Sequence, residues 1–308
     1  MTVAMSGPRN GVELVKMMKM KKVLVLSLMT TATFAAETVD RTLDAAPDGD
    51  VTISNVAGSV EVNGWSRNQV EVTGELGSGV EELIFERDGH EVIVKVKLPR
   101  HNRRSGSAEL VINVPEASSL RINTVSADID IDDVKGEQRL ESVSGDITTA
   151  VFGKEIDAES VSGDIDVAGD NQAVNGKLNT VSGDIDVENL NGELRSETVN
   201  GEINVINGSF KRISGNTVNG EIVFHVGLQD EGRMDIETIN GAVDVDFGGD
   251  VSARFDIETF NGSIQNCFGP ESVRTSKYAP GRELNFTEGS GAGRVTINTL
   301  NGRIRICK

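Results

Sequence analysis

The sequence predicts an all-β protein: a short parallel β-solenoid (β-helix-like) with a β-rich N-terminal cap. Three observations carry that prediction. A six-residue unit recurs at near-constant spacing over more than half of the chain, each copy is flanked by two period-two alternations of apolar and polar residues, and no segment shows helical periodicity.

The unit reads Thr/Ser-Val-Ser/Asn-Gly-Asp/Glu-Ile. It starts at Thr124-Val125-Ser126-Ala127-Asp128-Ile129, is clearest at Ser160-Val161-Ser162-Gly163-Asp164-Ile165, and ends at Thr299-Leu300-Asn301-Gly302-Arg303-Ile304. After Ala127 its glycine column is Gly145, Gly163, Gly183, Gly201, Gly220, Gly241, Gly262 and Gly302, in steps of 18, 18, 20, 18, 19, 21, 21 and 40. A coil of that length cannot bury an apolar face alone. Stacking coils about 4.8 Å apart makes the core continuous, giving a rod roughly 40 Å long. A propeller, the alternative, needs about 40 residues and four strands per blade.

Within a unit, Ile165-Asp166-Val167 alternates after the glycine and Leu178-Asn179-Thr180 before the next valine, with Asn-Gly turns such as Asn175-Gly176 between. The apolar phase slips by one residue at each Thr-Val junction. A bend or bulge there is expected to return both arms to one interior, the glycine adopting backbone angles that a Cβ forbids. Stacking also aligns Ser126, Ser144, Ser162 and Ser182, then Asn200, Asn219, Asn240, Asn261 and Asn301, whose amides can hydrogen-bond along the column.

The flanks read differently. Met20-Lys21-Lys22, the apolar run Val23 to Met29 and the small residues ending Ala35-Ala36 have the order of a secretory signal peptide, so 1–36 is expected to be an export signal with an over-extended start. The apolar run is too short to cross a bilayer. Residues 37–115 hold strand-like runs such as Glu91 to Val96 and Leu110 to Val114, and are expected to form a β-rich cap or irregular early coils. Lys97 to Ser107, with Arg100, His101, Arg103 and Arg104, reads as a solvated cationic loop.

Residues 116–308 are the expected solenoid, with a loop insertion near 269–291 that lacks the Asn-Gly unit and contains Pro270 and Pro280. Cys267 and Cys307, the only cysteines, lie five residues past Gly262 and Gly302. If the insertion loops out, they meet on adjacent coils. Export would place them in an oxidising compartment, so a disulfide is expected.

These recurring units resemble the bacterial putative-adhesin domain family of unknown function. So do the lead-in Leu110-Val111-Ile112-Asn113-Val114-Pro115 and the close Gly293-Arg294-Val295-Thr296-Ile297-Asn298. The likeness covers about Gly58 to Ile306. It implies the repeat fold and an adhesin-like role. It supplies no catalytic residues, and some relatives are associated with envelope-stress responses.

Composition narrows function further. Residues 1–36 carry Arg9, Lys16, Lys19, Lys21 and Lys22 against Glu13, so their removal takes the formal net charge from −18 to −22. That charge repels nucleic acid and anionic headgroups and attracts cations or cationic peptides. Aromatics are 4% of residues, few for stacking on sugars or single strands. His90, His101 and His225 lie at no metal-ligand spacing from one another or from a cysteine.

The aligned acids Asp146, Asp164 and Asp184 are weak Ca²⁺ candidates, but they are themselves the repeat, whereas a catalytic pair should break it. The reading is therefore a non-enzymatic exported scaffold without cofactor, periplasmic or extracellular, presenting an acidic solenoid surface to a cell-envelope or extracellular partner. The alternatives are a periplasmic envelope-stress or cationic-peptide-binding protein and, behind it, a polysaccharide-active β-helix enzyme.

Overall fold

The computed structural model describes residues 37–99, 106–276, 278 and 280–308. The expected export signal and the basic residues Arg100, His101, Arg103 and Arg104 lie outside these described residues. Every named element is a strand, and 21 strands join one mixed sheet. The all-β class is as expected; a purely parallel solenoid is too simple.

Repeat coils stack in parallel along two arms. After the glycine, Ile147–Val151, Ile165–Gly169, Ile185–Glu188 and Ile203–Asn219 pair side by side, so that Ile165 lies beside Ile147 and Ile185. Before the Thr-Val junction, Gln138–Glu141, Ile156–Glu159, Ala173–Asn179 and Asn191–Glu197 do the same. Ile147, Ile165, Ile185, Ile203 and Ile222 are all fully buried. Each contributes about 1.5–3 kcal/mol relative to an exposed side chain, but only with a coil on either side.

The junction between the arms departs from expectation. Leu178, Thr180, Gly183, Ile185 and Val187 face inward, but Val181 and Ser182 are both exposed. The phase slip is thus a two-residue outward excursion, and the valine of each unit is not a core residue. Nor do the column glycines have positive φ. Their constraint is close approach: a Cβ on Gly183 would overlap the Gly163 carbonyl, one on Gly201 the Gly183 carbonyl, and one on Gly302 the Gly241 carbonyl. Polar groups close the corner. The Thr180 hydroxyl donates to Gly163 O at 3.1 Å and Thr198 to Gly183 O at 3.1 Å. The Gly163 amide donates to the Ser160 hydroxyl at 2.9 Å.

Stack order and chain order part company at both ends. The terminal strand Gly293–Cys307 does not follow the coil of Ala253–Asn266. It lies between that coil on one side and Ile222–Asn240 with Val243–Asp246 on the other. The segment 269–291 is not simply a loop: Arg282–Thr287 runs antiparallel along Ala253–Asn266, and Val273–Arg274 pairs with it in turn. At the other end Asp50–Trp65 is internal, between Ser119–Asp132 and the pair Glu91–Lys97 and Ala108–Pro115. Antiparallel strands Glu82–Asp88 and Gln69–Leu76 then cover those, with Glu37–Asp44 beyond. Each end reverses direction, so antiparallel partners take backbone groups that a bare parallel edge would offer to another chain.

Cys267 and Cys307 are joined by a disulfide, with Cα atoms 4.8 Å apart. They are neighbours because the terminal strand is inserted, not because the last coil simply follows its predecessor. The bond clamps the outer coil to the terminal strand. Phe247, Phe255, Phe268 and Phe286 pack beside it, Phe255 and Phe286 stacked at 4.4 Å.

Two outcomes test this architecture. Gly183→Ala should destabilise by about 1–3 kcal/mol in urea unfolding, because the neighbouring carbonyl belongs to backbone and cannot step aside. Gly249→Ala, where nothing lies within 4 Å of the added carbon, should be near neutral. The double substitution Cys267→Ala with Cys307→Ala opens a cross-link of sequence separation 40, and should lower stability by up to about 4 kcal/mol.

Candidate functional site

The outward excursion at every Thr-Val junction places the second residue of each unit on the surface. Val125, Val143, Val161, Val181, Val199, Ile239, Leu300 and Phe260 are 40–51% exposed, and Val218 is half-buried. Because the flanking residues pair coil to coil, these side chains form one continuous ladder. The registers Thr217↔Thr238, Thr238↔Thr299 and Thr259↔Thr299 set its order as Val218, Ile239, Leu300, Phe260. In that order the side chains go from Val218 through the isomeric Ile239 and Leu300 to Phe260, the largest, at the disulfide end; in chain order Leu300 would follow Phe260.

Beside the ladder runs a groove of about 1150 Å³, walled at its far end by Thr275, Gly281 and Arg282 of the returning segment. Along its floor, two residues before each ladder position, lie Glu159, Asn179, Glu197, Asn216, Glu237, Asn298 and Glu258, paired in that order. Acid and amide alternate strictly. The insertion of the terminal strand keeps Glu237 and Glu258 from being direct neighbours. Carboxylates are thus about 9.6 Å apart instead of about 4.8 Å, which roughly halves their pairwise repulsion.

Two of these acids are partly neutralised. Lys177 bridges Asp157 and Glu159, and the hydrogen bond to Lys177 holds the Glu159 carboxyl below its usual range. Arg195 bridges Glu197 at 2.6 Å, and Glu197 also accepts the Asn216 amide at 3.1 Å. Among the described residues no basic side chain bridges Glu237 or Glu258.

On the other side of the ladder, the asparagine column forms the expected amide chain, in stack order. Asn219 donates to Asn200 at 2.8 Å, Asn240 to Asn219 at 3.0 Å, Asn301 to Asn240 at 2.8 Å and Asn261 to Asn301 at 3.0 Å. Asp146, Asp164 and Asp184 stack as well, but each also accepts a hydrogen bond from a backbone amide of the next coil. The Asp164 amide donates to Asp146 Oδ1 at 3.0 Å, the Asp184 amide to Asp164 Oδ1 at 2.8 Å and the Glu202 amide to Asp184 Oδ1 at 2.7 Å. That role explains a conspicuous repeat column without a ligand. Among the described residues no group of three or more His, Cys, Asp or Glu is placed to share a metal ion. His90 and His225 face Asp48 and Asp244 at the surface, well apart along the chain. The sequence reading missed the ladder because it assigned the valines to the interior. Parity alone does not reveal it, because Val181 is out of phase with the buried Leu178 and Thr180 but in phase with the buried Ile185 and Val187.

The family model described as Toastrack DUF4097 matches residues 33–195 and 154–307. Similar solved structures include one described as a putative lipid binding protein from Parabacteroides distasonis, 15% identical over 88% of this chain and 97% of that one, with a TM-score of 0.47. Another is described as a putative adhesin from Bacteroides fragilis, 11% identical over 88% and 97%, with a TM-score of 0.43. A third is a putative cell adhesion protein from Clostridium sporogenes, 12% identical over 88% and 99%, with a TM-score of 0.24. No curated protein matches the chain.

The acidic stack on the arm after the glycine yields a pH prediction. Asp166 sits beside Asp186 on the next coil, and its pKa is raised by desolvation first and then by Asp186, Asp164 and Asp146. A carboxyl whose folded pKa is raised holds its proton more tightly when folded. Its contribution therefore favours the fold below the unfolded pKa and is lost as pH rises through the folded value. Asp166→Asn should raise the Tm at pH 7, with the gap closing as pH falls from the raised folded value to the ordinary aspartate value. A gap that widens in acid would show that Asp166 is held ionised by a favourable contact.

Proposed function

The chain belongs to the Toastrack DUF4097 family, and we propose that it is a non-enzymatic exported scaffold, adhesin-like, whose short solenoid presents the apolar ladder to a partner in the cell envelope or outside it. The ladder carries this reading. Its side chains point away from the core, so the stack does not need them to be apolar; serine or threonine would fold as well. A regular apolar stripe spanning successive coils costs solubility, and contiguous exposed apolar surface characteristically marks a contact site.

Acids flank the stripe on both sides, in the groove floor and in the Asp146, Asp164 and Asp184 column. They keep an apolar surface soluble until it is covered. The disulfide and the signal-like order of 1–36 support export. Against catalysis stands the same regularity: the carboxylates most suggestive of an enzyme are repeat elements that accept backbone amides. No helix among the described residues is long and apolar enough to cross a membrane.

The test is co-sedimentation of the purified chain with isolated bacterial envelopes. The variant Val181→Ser with Val199→Ser should keep its urea midpoint, because both side chains are exposed. It should bind envelopes about tenfold more weakly, the scale expected when two half-exposed valines lose their buried contact area. Equal binding by the two proteins would remove the ladder as the contact site.

A further inference from the structure

The ladder and the floor of the groove repeat in a fixed ratio, and that ratio selects among occupants. Apolar side chains recur about every 4.8 Å, once per coil, and glutamates about every 9.6 Å, once per two coils. From Val161 to Phe260 in stack order the ladder spans about 29 Å by the same spacing. We propose that the groove takes an amphipathic α-helix of about 20 residues, bearing two apolar residues and one flanking basic residue per heptad. This rests on the scaffold reading above and names its partner.

The match is in period and in charge. Seven helical residues rise about 10.5 Å, and the two apolar positions of a heptad recur on average about every 5.3 Å. Over four glutamates the helix and the row drift apart by about 2.7 Å, within the reach of a lysine side chain. An extended peptide shows one face about every 6.7 Å, which matches neither repeat. An acyl chain would satisfy the ladder and leave the glutamates without counter-charge. A second copy of this chain would set one acidic row against another, and like charges so juxtaposed oppose association.

The acids that need a counter-charge are at one end. Lys177 and Arg195 already bridge Glu159 and Glu197, whereas Glu237 and Glu258 have no basic partner among the described residues. Those two flank Ile239, Leu300 and Phe260, the largest ladder residues. Among the described residues, Arg282, whose guanidinium reaches the Ser272 hydroxyl, is the one basic side chain lining the groove at that end. The helix is therefore held most tightly over this part of the groove.

The probe is a synthetic 21-residue peptide with leucine at both apolar heptad positions, lysine at one flanking position and neutral helix formers elsewhere. Its binding to the full oxidised chain is followed by fluorescence anisotropy, and its helicity by circular dichroism. Saturable binding with a gain of helicity is expected. Glu237→Gln with Glu258→Gln should weaken it at least about fivefold at low salt, and flatten its salt dependence. Ile239→Ser with Leu300→Ser should weaken it at least about tenfold, with the urea midpoint of each variant unchanged.

Replacing the lysines by glutamate in the peptide should weaken binding at least about tenfold. Equal binding of the two peptides would overturn the proposal. So would no binding of the lysine peptide while envelope co-sedimentation still depends on Val181 and Val199; the scaffold reading would survive that result. Ladder-dependent self-association of the chain in sedimentation velocity would also overturn it, in favour of a second copy.

Discussion

Coil-to-coil approach at the glycine corner is the constraint on which the rest of the structure depends. The carbonyl of each corner glycine occupies the space where the next coil's Cβ would be. Only at that distance do the Ile ladders of neighbouring coils pack and the corner's polar groups find partners. The buried Thr180 and Thr198 hydroxyls donate to glycine carbonyls, and the Asp146, Asp164 and Asp184 carboxylates accept the amides of the next coil. One column thus serves packing, hydrogen bonding and the fixed register along the stack. A single added methyl group would be felt at all three levels, because the obstacle is backbone and not a side chain with room to turn.

The same corner exports the residues that give the protein its surface. To bring the glycine against its neighbour, the chain steps outward for two residues, and Val181 and Ser182 and their equivalents are carried out with it. Whatever occupies the first of these positions is displayed once per coil. Apolar residues there point away from the core, so the packing of the stack does not account for them. The acids beside it have two characters. Those after the glycine are tied into the backbone of the next coil. Those in the groove floor alternate with asparagine, which spreads the charge and leaves an acidic row with a defined period.

The ends solve a separate problem. A parallel stack finishes in an edge whose amides and carbonyls invite another chain. Here each end places its first or last coil inside the stack and folds an antiparallel return over the outermost one. The disulfide clamps the terminal strand to the coil it inserts beneath. That insertion also decides the surface: it sets Asn298 between Glu237 and Glu258, and Leu300 between Ile239 and Phe260.

The sequence by itself determined the all-β class, the 18–21-residue period, the glycine and asparagine columns and the cysteine pairing. These are legible because a stack repeats its local chemistry at every turn, so alignment of the chain with itself is already a contact map. Two things were decided only by tertiary structure. The outward face of Val181 and its equivalents depends on how sharply the corner turns, and a one-residue slip in parity fits either an inward bulge or an outward step. The order of coils at the ends depends on which edges pair, and edge pairing is a long-range choice that no local repeat encodes. Chain order would place Phe260 before Leu300 and Glu258 next to Glu237. The antiparallel return, by letting the last strand pair on both sides, reversed both and so fixed the taper of the ladder and the alternation of the groove.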